Sequence, residues 1–443
     1  MKNRLAEETV LFFSVIKWVC IAIFVGCTVG IATSCFLHGL HFSMDFLAKY
    51  KYYFLLMPAG LFLSAFLVQW LAPDAEGHGT EKVIAAVNTR SGKIRLAVIP
   101  VKIVTTIITL ASGASGGKEG PCAQIGAGVC SGLADLFHLN DTDRKKIVIC
   151  GISAGFASVF GTPIAGALFG VEILYVGNIM YEVLLPSILA GMAAFKISQV
   201  LGVEYFYFKM SDVPLYDSVL FMKVILSGIF FGLVSFIFIE TLTGMTFLSR
   251  RLRVWKPLKG IMAGVVLILL TLLLGTGYLG LGFETVEETL RGANIIWYAF
   301  LAKILFTSIT LAFGGSAGIV TPLFFVGAAS GAVFARLMGD PSAMFVCLGL
   351  VAVLAGGTNA PIAGSVMAME MFGPEITPYA MVACTISFLI TGHRSVYSSQ
   401  VVSMTKSSSI RVSLGRNIKH IKVESDLSWG RNSPEDSTES GDG

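Results

Sequence analysis

Two stretches of this chain are one stretch written twice. "KIVTTIITLASGASGGKEGPCAQIGA" (102–127) aligns with "KILFTSITLAFGGSAGIVTPLFFVGA" (303–328) at a constant offset of 201, with about half of the paired positions identical. The shared residues include Lys102 and Lys303, Thr109 and Thr310, Gly113 and Gly314, Ser115 and Ser316, and Pro121 and Pro322. Flanking blocks repeat in the same order: "GHGTEKV" (77–83) with "GLGFETV" (280–286), and "PIAGALFGVE" (163–172) with "PIAGSVMAME" (361–370). Three blocks in one order at nearly one offset mark a duplication, with halves near 1–210 and 211–400. The fold must build one unit twice and pack the copies together.

That unit belongs in a membrane. Only 14% of the residues are charged, against about 25% in a soluble domain. Apolar runs recur at 10–37, 54–72, 95–113, 182–203, 218–240, 260–283, 296–313, 343–369 and 376–392. Several reach the roughly 20 residues a bilayer crossing needs; others are short or interrupted by Gly and Pro. Repeated units with broken helices are how transporters are built, often inverted across the membrane plane with the binding site where the halves meet. The expected fold is therefore an all-α polytopic membrane protein of two inverted-topology repeats, with broken helices meeting at mid-membrane. Basic residues gather in connections such as "DRKK" (143–146) and "SRRLRVWK" (249–256), both cytoplasmic candidates. The first run is too long for a signal-peptide core and is expected to be retained. The net charge of +4 calls for no nucleic-acid partner. The eight cysteines form no CxxC or metal pattern and read as small buried side chains, so no metal or cofactor is expected. Residues 401–443, Ser-rich and charged, read as a disordered cytoplasmic tail.

The chemistry concentrates in three turns that open apolar helices: "GHG" (77–79), "GKEGP" (117–121) and "GIVTP" (318–322). Pro121 and Pro322 suit a first helical turn, where a missing N–H costs nothing. Gly77, Gly79, Gly117, Gly120 and Gly318 allow backbone N–H groups to approach a ligand closely. Helix N-termini carry partial positive charge and unsatisfied donors. Several of them pointed inward form an anion site without a full positive charge. Such a site accepts a carboxylate as readily as a halide. Glu119, alone with Lys118 in an otherwise uncharged stretch, is thereby a gate and a proton carrier, since ionisable residues inside a membrane are functional by default. The plain alternative is an acid that complements a helix dipole. Lys118 either reaches a vestibule and concentrates anions or pairs with a neighbouring carboxylate.

These residues resemble those of the CLC family of chloride channels and chloride/proton antiporters. Its three marks, G-S-G-I-P, G-[RK]-E-G-P and G-x-F-x-P, stand here as "GHGTE", "GKEGP" and "GIVTP", and "NAPIAG" (359–364) adds to the likeness, which covers about 20–395. The resemblance implies a homodimer, each subunit with its own pore. It implies that Glu119 is the gating glutamate and that the backbone N–H groups of Ile319 and Val320 hold the central anion. His78 replaces the family's anion-binding Ser, and an imidazole can donate a hydrogen bond or add charge. In "FGVEIL", Glu172 matches the first acid of the family's F-x-x-E-E, while Ile173 stands where many antiporters carry an inner proton glutamate. Glu172 recurs as Glu370, which favours a structural role over coupling. Tyr379 is the nearest candidate for the pore tyrosine, a few residues late. The family's paired CBS modules are not found in this sequence.

Other readings fail on their own terms. "GISAG" (151–155) has the nucleophile-elbow pattern but sits in an apolar helix. "SGASGGKE" has Ser112 and Glu119 where a P-loop needs Gly and a Ser or Thr. The expected function is chloride transport across a bacterial inner membrane, as an antiporter moving chloride and protons rather than an enzyme. The alternatives are a passive channel, which Ile173 favours, and exchange of another anion such as fluoride or nitrate.

Overall fold

The computed structural model describes residues 2–210, 214, 217–340, 343–421 and 423–425. Among them, sixteen α-helices fall into two sets of eight. The first set is α1 (Lys2–Ala48), α2 (Met57–Leu71), α3 (Thr80–Thr89), α4 (Val98–Ala111), α5 (Glu119–Leu136), α6 (Asp141–Phe160), α7 (Pro163–Glu172) and α8 (Tyr181–Val200). The second is α9 (Ser218–Arg251), α10 (Lys256–Leu274), α11 (Phe283–Leu290), α12 (Ala299–Ala312), α13 (Val320–Leu337), α14 (Met344–Thr358), α15 (Pro361–Phe372) and α16 (Thr377–Thr391). Each helix has its counterpart eight places on. The starts of α4 and α12, and of α5 and α13, are both 201 residues apart.

Reciprocal contacts relate the halves by a two-fold axis. Gly117 N donates to Gly318 O at 2.7 Å, and Gly318 N to Gly117 O at 2.5 Å. Each residue meets the other's equivalent atom, as happens only about a two-fold. The same reciprocity holds further out. Glu172, at the end of α7, accepts from Ile362 and Ala363 N at the start of α15 (3.0 and 2.8 Å). Glu370, in α15, accepts from Ile164 and Ala165 N at the start of α7, again at 3.0 and 2.8 Å. Each carboxylate satisfies two orphan N–H groups of the other half's helix. This is why the acid is repeated.

Six of the described helical segments are long and apolar enough to cross a membrane: 7–48, 53–71, 181–200, 218–251, 256–274 and 320–337. Leu272 and Leu273 on α10, 66% and 80% exposed, show what such a helix presents to its surroundings. By contrast α3, α7, α11 and α15 hold 8 to 12 residues. At 1.5 Å per residue they span about half of a roughly 30 Å hydrocarbon core, so none of them crosses it alone. The apolar run 343–369 is not one span: Asn359, with φ 58°, breaks it into α14 and α15.

The central layer is made of α5 against α6 and α13 against α14. Small residues let these backbones touch: a Cβ on Gly126 would strike Gly151 O, and one on Gly327 would strike Gly349 O. Within this layer, α5 and α6 escape a search for long apolar runs because Gly, Ala and Ser interrupt faces that pack on protein rather than lipid.

The expectation of a disordered tail from 401 is overturned for residues 401–421 and 423–425. β2 (Val401–Val402) pairs in parallel with β1 (Tyr175–Val176), and β3 (Ile410–Val412) pairs antiparallel with β4 (Val423–Ser425). Lys406 Nζ donates to Asn359 Oδ1 (2.7 Å) and to Phe388 O (2.6 Å). Polar anchors of this kind hold a segment whose composition alone reads as unfolded. The remainder of the expected tail, 422 and 426–443, lies outside the described residues.

Candidate anion site

The three glycine turns converge. Gly117 and Gly318 form the paired bridge at the two-fold. A Cβ on Gly318 would lie 2.9 Å from Gly120 N, and one on Gly79 would lie 2.6 Å from Gly120 O. Backbone thus packs on backbone where α5, α13 and the turn before α3 meet. Gly77 and Gly79 hold φ of +77° and +84°, a region that side chains with a Cβ rarely adopt. Pro121 and Pro322 each stand third in their helices, after Glu119–Gly120 and Val320–Thr321.

Glu119 opens α5 and is fully buried. Its carboxylate crosses to the other half. Oε2 accepts from Thr321 N at 3.1 Å, and Oε1 accepts a short hydrogen bond from the Thr321 hydroxyl. The negative group therefore sits at the N-terminus of α13, whose N-cap is Ile319 and whose first residue is Val320, both buried. Free first-turn N–H groups and the helix dipole make that position attractive to any small anion. Of the donors that hold the carboxylate, the turn 318–322 supplies both.

These observations set the arrangement: duplicated halves, glycine turns at a two-fold, and a tethered carboxylate on an opposing helix terminus. The sequence of the voltage gated chloride channel family matches residues 60–392. The chain belongs to that family. A chloride/fluoride channel protein of Pseudomonas syringae pv. tomato is 33% identical over 412 residues, covering 91% of each chain. Among solved structures, a CLC-type fluoride/proton antiporter superposes with a TM-score of 0.84 at 28% identity, over 88% of this chain and 99% of that one. A slow cyanobacterial Cl⁻/H⁺ antiporter superposes at 0.75 with 19% identity, over 84% and 94%, and shares the fold. The chain is thus an integral membrane protein of a channel and transporter family. "GISAG" lies inside α6, with Ser153 Oγ buried and turned to Ala167 O.

Placed in this CLC frame, the remaining candidates divide. Lys118, the N-cap of α5, directs its ammonium to His41 Nε2 (3.3 Å) and lies 6.0 Å from the Phe283 ring centre. His78 sits with its ring 5.5 Å from that of Tyr397, and its Nδ1 is buried with no hydrogen-bond partner. Tyr379 is a correction. Its hydroxyl donates a short hydrogen bond to Pro214 O, in the connection before α9, and not to the seat. The tyrosine brought to the site is Tyr397, fully buried, its hydroxyl beside Thr80 but without hydrogen-bond geometry to any partner. It lies beyond the last apolar run, so no periodicity pointed to it. Both oxygens of Glu172 cap α15, which leaves the coupling role without support. Ile173 is fully buried; its backbone N–H donates to Phe169 O (3.1 Å) and its carbonyl accepts from Gln400 Nε2 (2.8 Å).

Two fully buried lysines complete the surroundings. Lys102 Nζ donates to Ala75 O (3.2 Å) and Gly77 O (2.6 Å), while its repeat Lys303 donates to Tyr278 O (3.1 Å) and Gly280 O (3.0 Å). Each pins the glycine turn that precedes a short helix. Their appearance in both copies of an apolar run was the available sign. Hydrogen bonds to a charged group contribute about 1.5–3 kcal/mol each, and burying an unpaired ammonium offsets part of that. Lys102→Met should therefore cost a net of about 2 kcal/mol by freeing the turn that carries His78, read as a lower unfolding temperature in detergent together with weaker halide binding.

Proposed function

We propose that this chain exchanges a halide for protons, with fluoride the preferred halide and chloride a second substrate. The observation that carries the reading is the Glu119 carboxylate on Thr321 at the start of α13. A tethered carboxylate and a free halide compete for the same N–H and hydroxyl donors. The halide enters when Glu119 leaves. Protonation releases Glu119, because a neutral acid forms weaker hydrogen bonds to those donors than a carboxylate does. One side chain then alternates between closing the path and carrying a proton, which couples the two fluxes.

Fluoride comes first for two reasons. The seat holds carboxylate oxygen, a small, strongly accepting atom that fluoride imitates better than chloride does. The relatives at 33% and 28% identity carry fluoride in their names. Chloride is the expectation from the GKEGP turn, which matches the G-[RK]-E-G-P mark of the chloride channels and antiporters. We also propose, from the family likeness, that the chain works as a homodimer in a bacterial inner membrane.

The test is the full chain in liposomes under a halide gradient, with an ion-selective electrode and a pH electrode. Fluoride should drive protons uphill, and chloride should do so at least about tenfold more slowly, since each 1.4 kcal/mol of differential binding is a factor of ten. Halide movement without protons would instead support passive conduction, the outcome Ile173 favours.

A further inference from the structure

The exchange reading leaves a gap. A proton must reach Glu119 from the far side, yet the inner glutamate position holds Ile173, a fully buried apolar side chain. Another acid lies close by. Glu81, in the first turn of α3, has Oε1 held by the hydroxyls of Ser398 (2.8 Å) and Ser399 (2.6 Å). Its Oε2 is buried and finds no hydrogen-bond partner.

That oxygen is one of several. Ten buried side-chain N or O atoms lack a partner among the described residues, and five of them surround this one turn: His78 Nδ1, Glu81 Oε2, Asn88 Oδ1, Gln124 Oε1 and Tyr397 Oη. Elsewhere they are scattered singly. Buried polar atoms are almost always satisfied by protein or by water, and a row of them marks where water belongs. The row has direction. The Tyr397 hydroxyl lies within electrostatic reach of both Glu119 and Glu81. Asn88 is seven residues after Glu81, on the same face of α3, and its Nδ2 donates to Ser399 O at 3.3 Å. Beyond it, Thr89 and Arg90 are exposed. The ionisable groups facing the turn are Lys102 from α4, Glu119 from α5, Tyr397 from the segment after α16, Lys82 from α3, His78 from the turn itself and Glu76 just before it.

We infer that Glu81 is the proton-loading carboxylate on the side of the protein that carries the 393–421 segment. It feeds Glu119 through a hydrated seam lined by Tyr397 and His78. The inference rests on the exchange reading above. The step balances simply. Glu81 takes a proton from bulk water by way of Asn88. It passes that proton along hydrogen-bonded water to the Glu119 carboxylate and returns to its anionic form. The neutral Glu119 then leaves its seat for the halide.

The experiment compares wild type, Glu81→Gln and Glu81→Asp in liposomes, recording halide and proton fluxes together. In Glu81→Gln the proton-to-halide ratio should fall at least about tenfold, the lower range for losing a placed acid–base group, while halide still moves. Glu81→Asp should recover part of the ratio. An unchanged ratio in Glu81→Gln, or both fluxes falling in step, overturns the inference and leaves Glu81 a structural acid. Wild type moving halide with no protons overturns the exchange reading and this inference together, and wild type alone shows it. If Glu81→Gln does not fold, Ser399→Ala removes one donor to the carboxylate. The proton-to-halide ratio should then fall, because the Ser399 hydroxyl on Oε1 fixes how the carboxylate faces the seam; an unmoved ratio counts against Glu81.

Discussion

Glu119→Gln should stop proton movement, with a loss of roughly 100-fold or more, while halide passes the seat without regard to pH. Glutamine fills the same volume but carries no titrating proton. Its amide also competes less well for the Thr321 donors, since charge-assisted hydrogen bonds are about twice as strong as neutral ones. The sign of the pH effect follows. In wild type the ionised carboxylate closes the path, so halide turnover should rise as pH falls and more Glu119 is protonated. In Glu119→Gln the dependence should be flat. Thr321→Val gives an independent check. It removes the hydroxyl that binds Oε1 and keeps the N–H that binds Oε2 at 3.1 Å. Losing one hydrogen bond to a charged group costs about 1.5–3 kcal/mol, so the seat should open more often and halide leak should rise. Paired liposome fluxes measure both variants. Proton flux surviving in Glu119→Gln would remove the residue from the pathway.

Much of this site is legible in the sequence. Glu119, Gly117, Gly120 and Gly318 stood out because charge and glycine are conspicuous in apolar sequence, and the repeat paired their turns. The same repeat gave Glu172 a structural meaning, which the reciprocal capping of α15 and α7 explains. What sequence missed has physical causes. Thr321 sits inside a recognised turn, but its importance comes from a contact across 202 positions. Tyr397 and Gln400 belong to no helix, and their roles arise only when the chain after α16 folds back onto α3 and α7. The tail beyond 401 has disordered composition, yet Lys406 finds two oxygen acceptors in a groove that only the assembled helices create. Local pattern identifies turns and helices. It does not identify which distant segment closes over them.

The close packing of those turns carries the last prediction, which separates two ways a glycine can matter. A Cβ on Gly120 would collide with His78 O and lie 3.3 Å from Gly318 Cα, both backbone atoms of other elements. Neither can swing aside as a flexible side chain would. Gly120→Ala should therefore push the His78 turn and α13 away from α5, at a cost of about 1–3 kcal/mol for overpacking. Gly292, after α11, has φ +89° and nothing within 4 Å of its would-be Cβ. Gly292→Ala meets only the left-handed backbone penalty, about 1–2 kcal/mol. Thermal unfolding in detergent should thus place the two variants close together. Transport should set them far apart: Gly120→Ala should lose roughly 100-fold or more, because displacing catalytic geometry by about 1 Å costs that much, and Gly292→Ala should transport as wild type. Equal transport in the two variants would mean that the seat tolerates movement of its own walls, and that Glu119 is held by Thr321 alone rather than by the meeting of three turns.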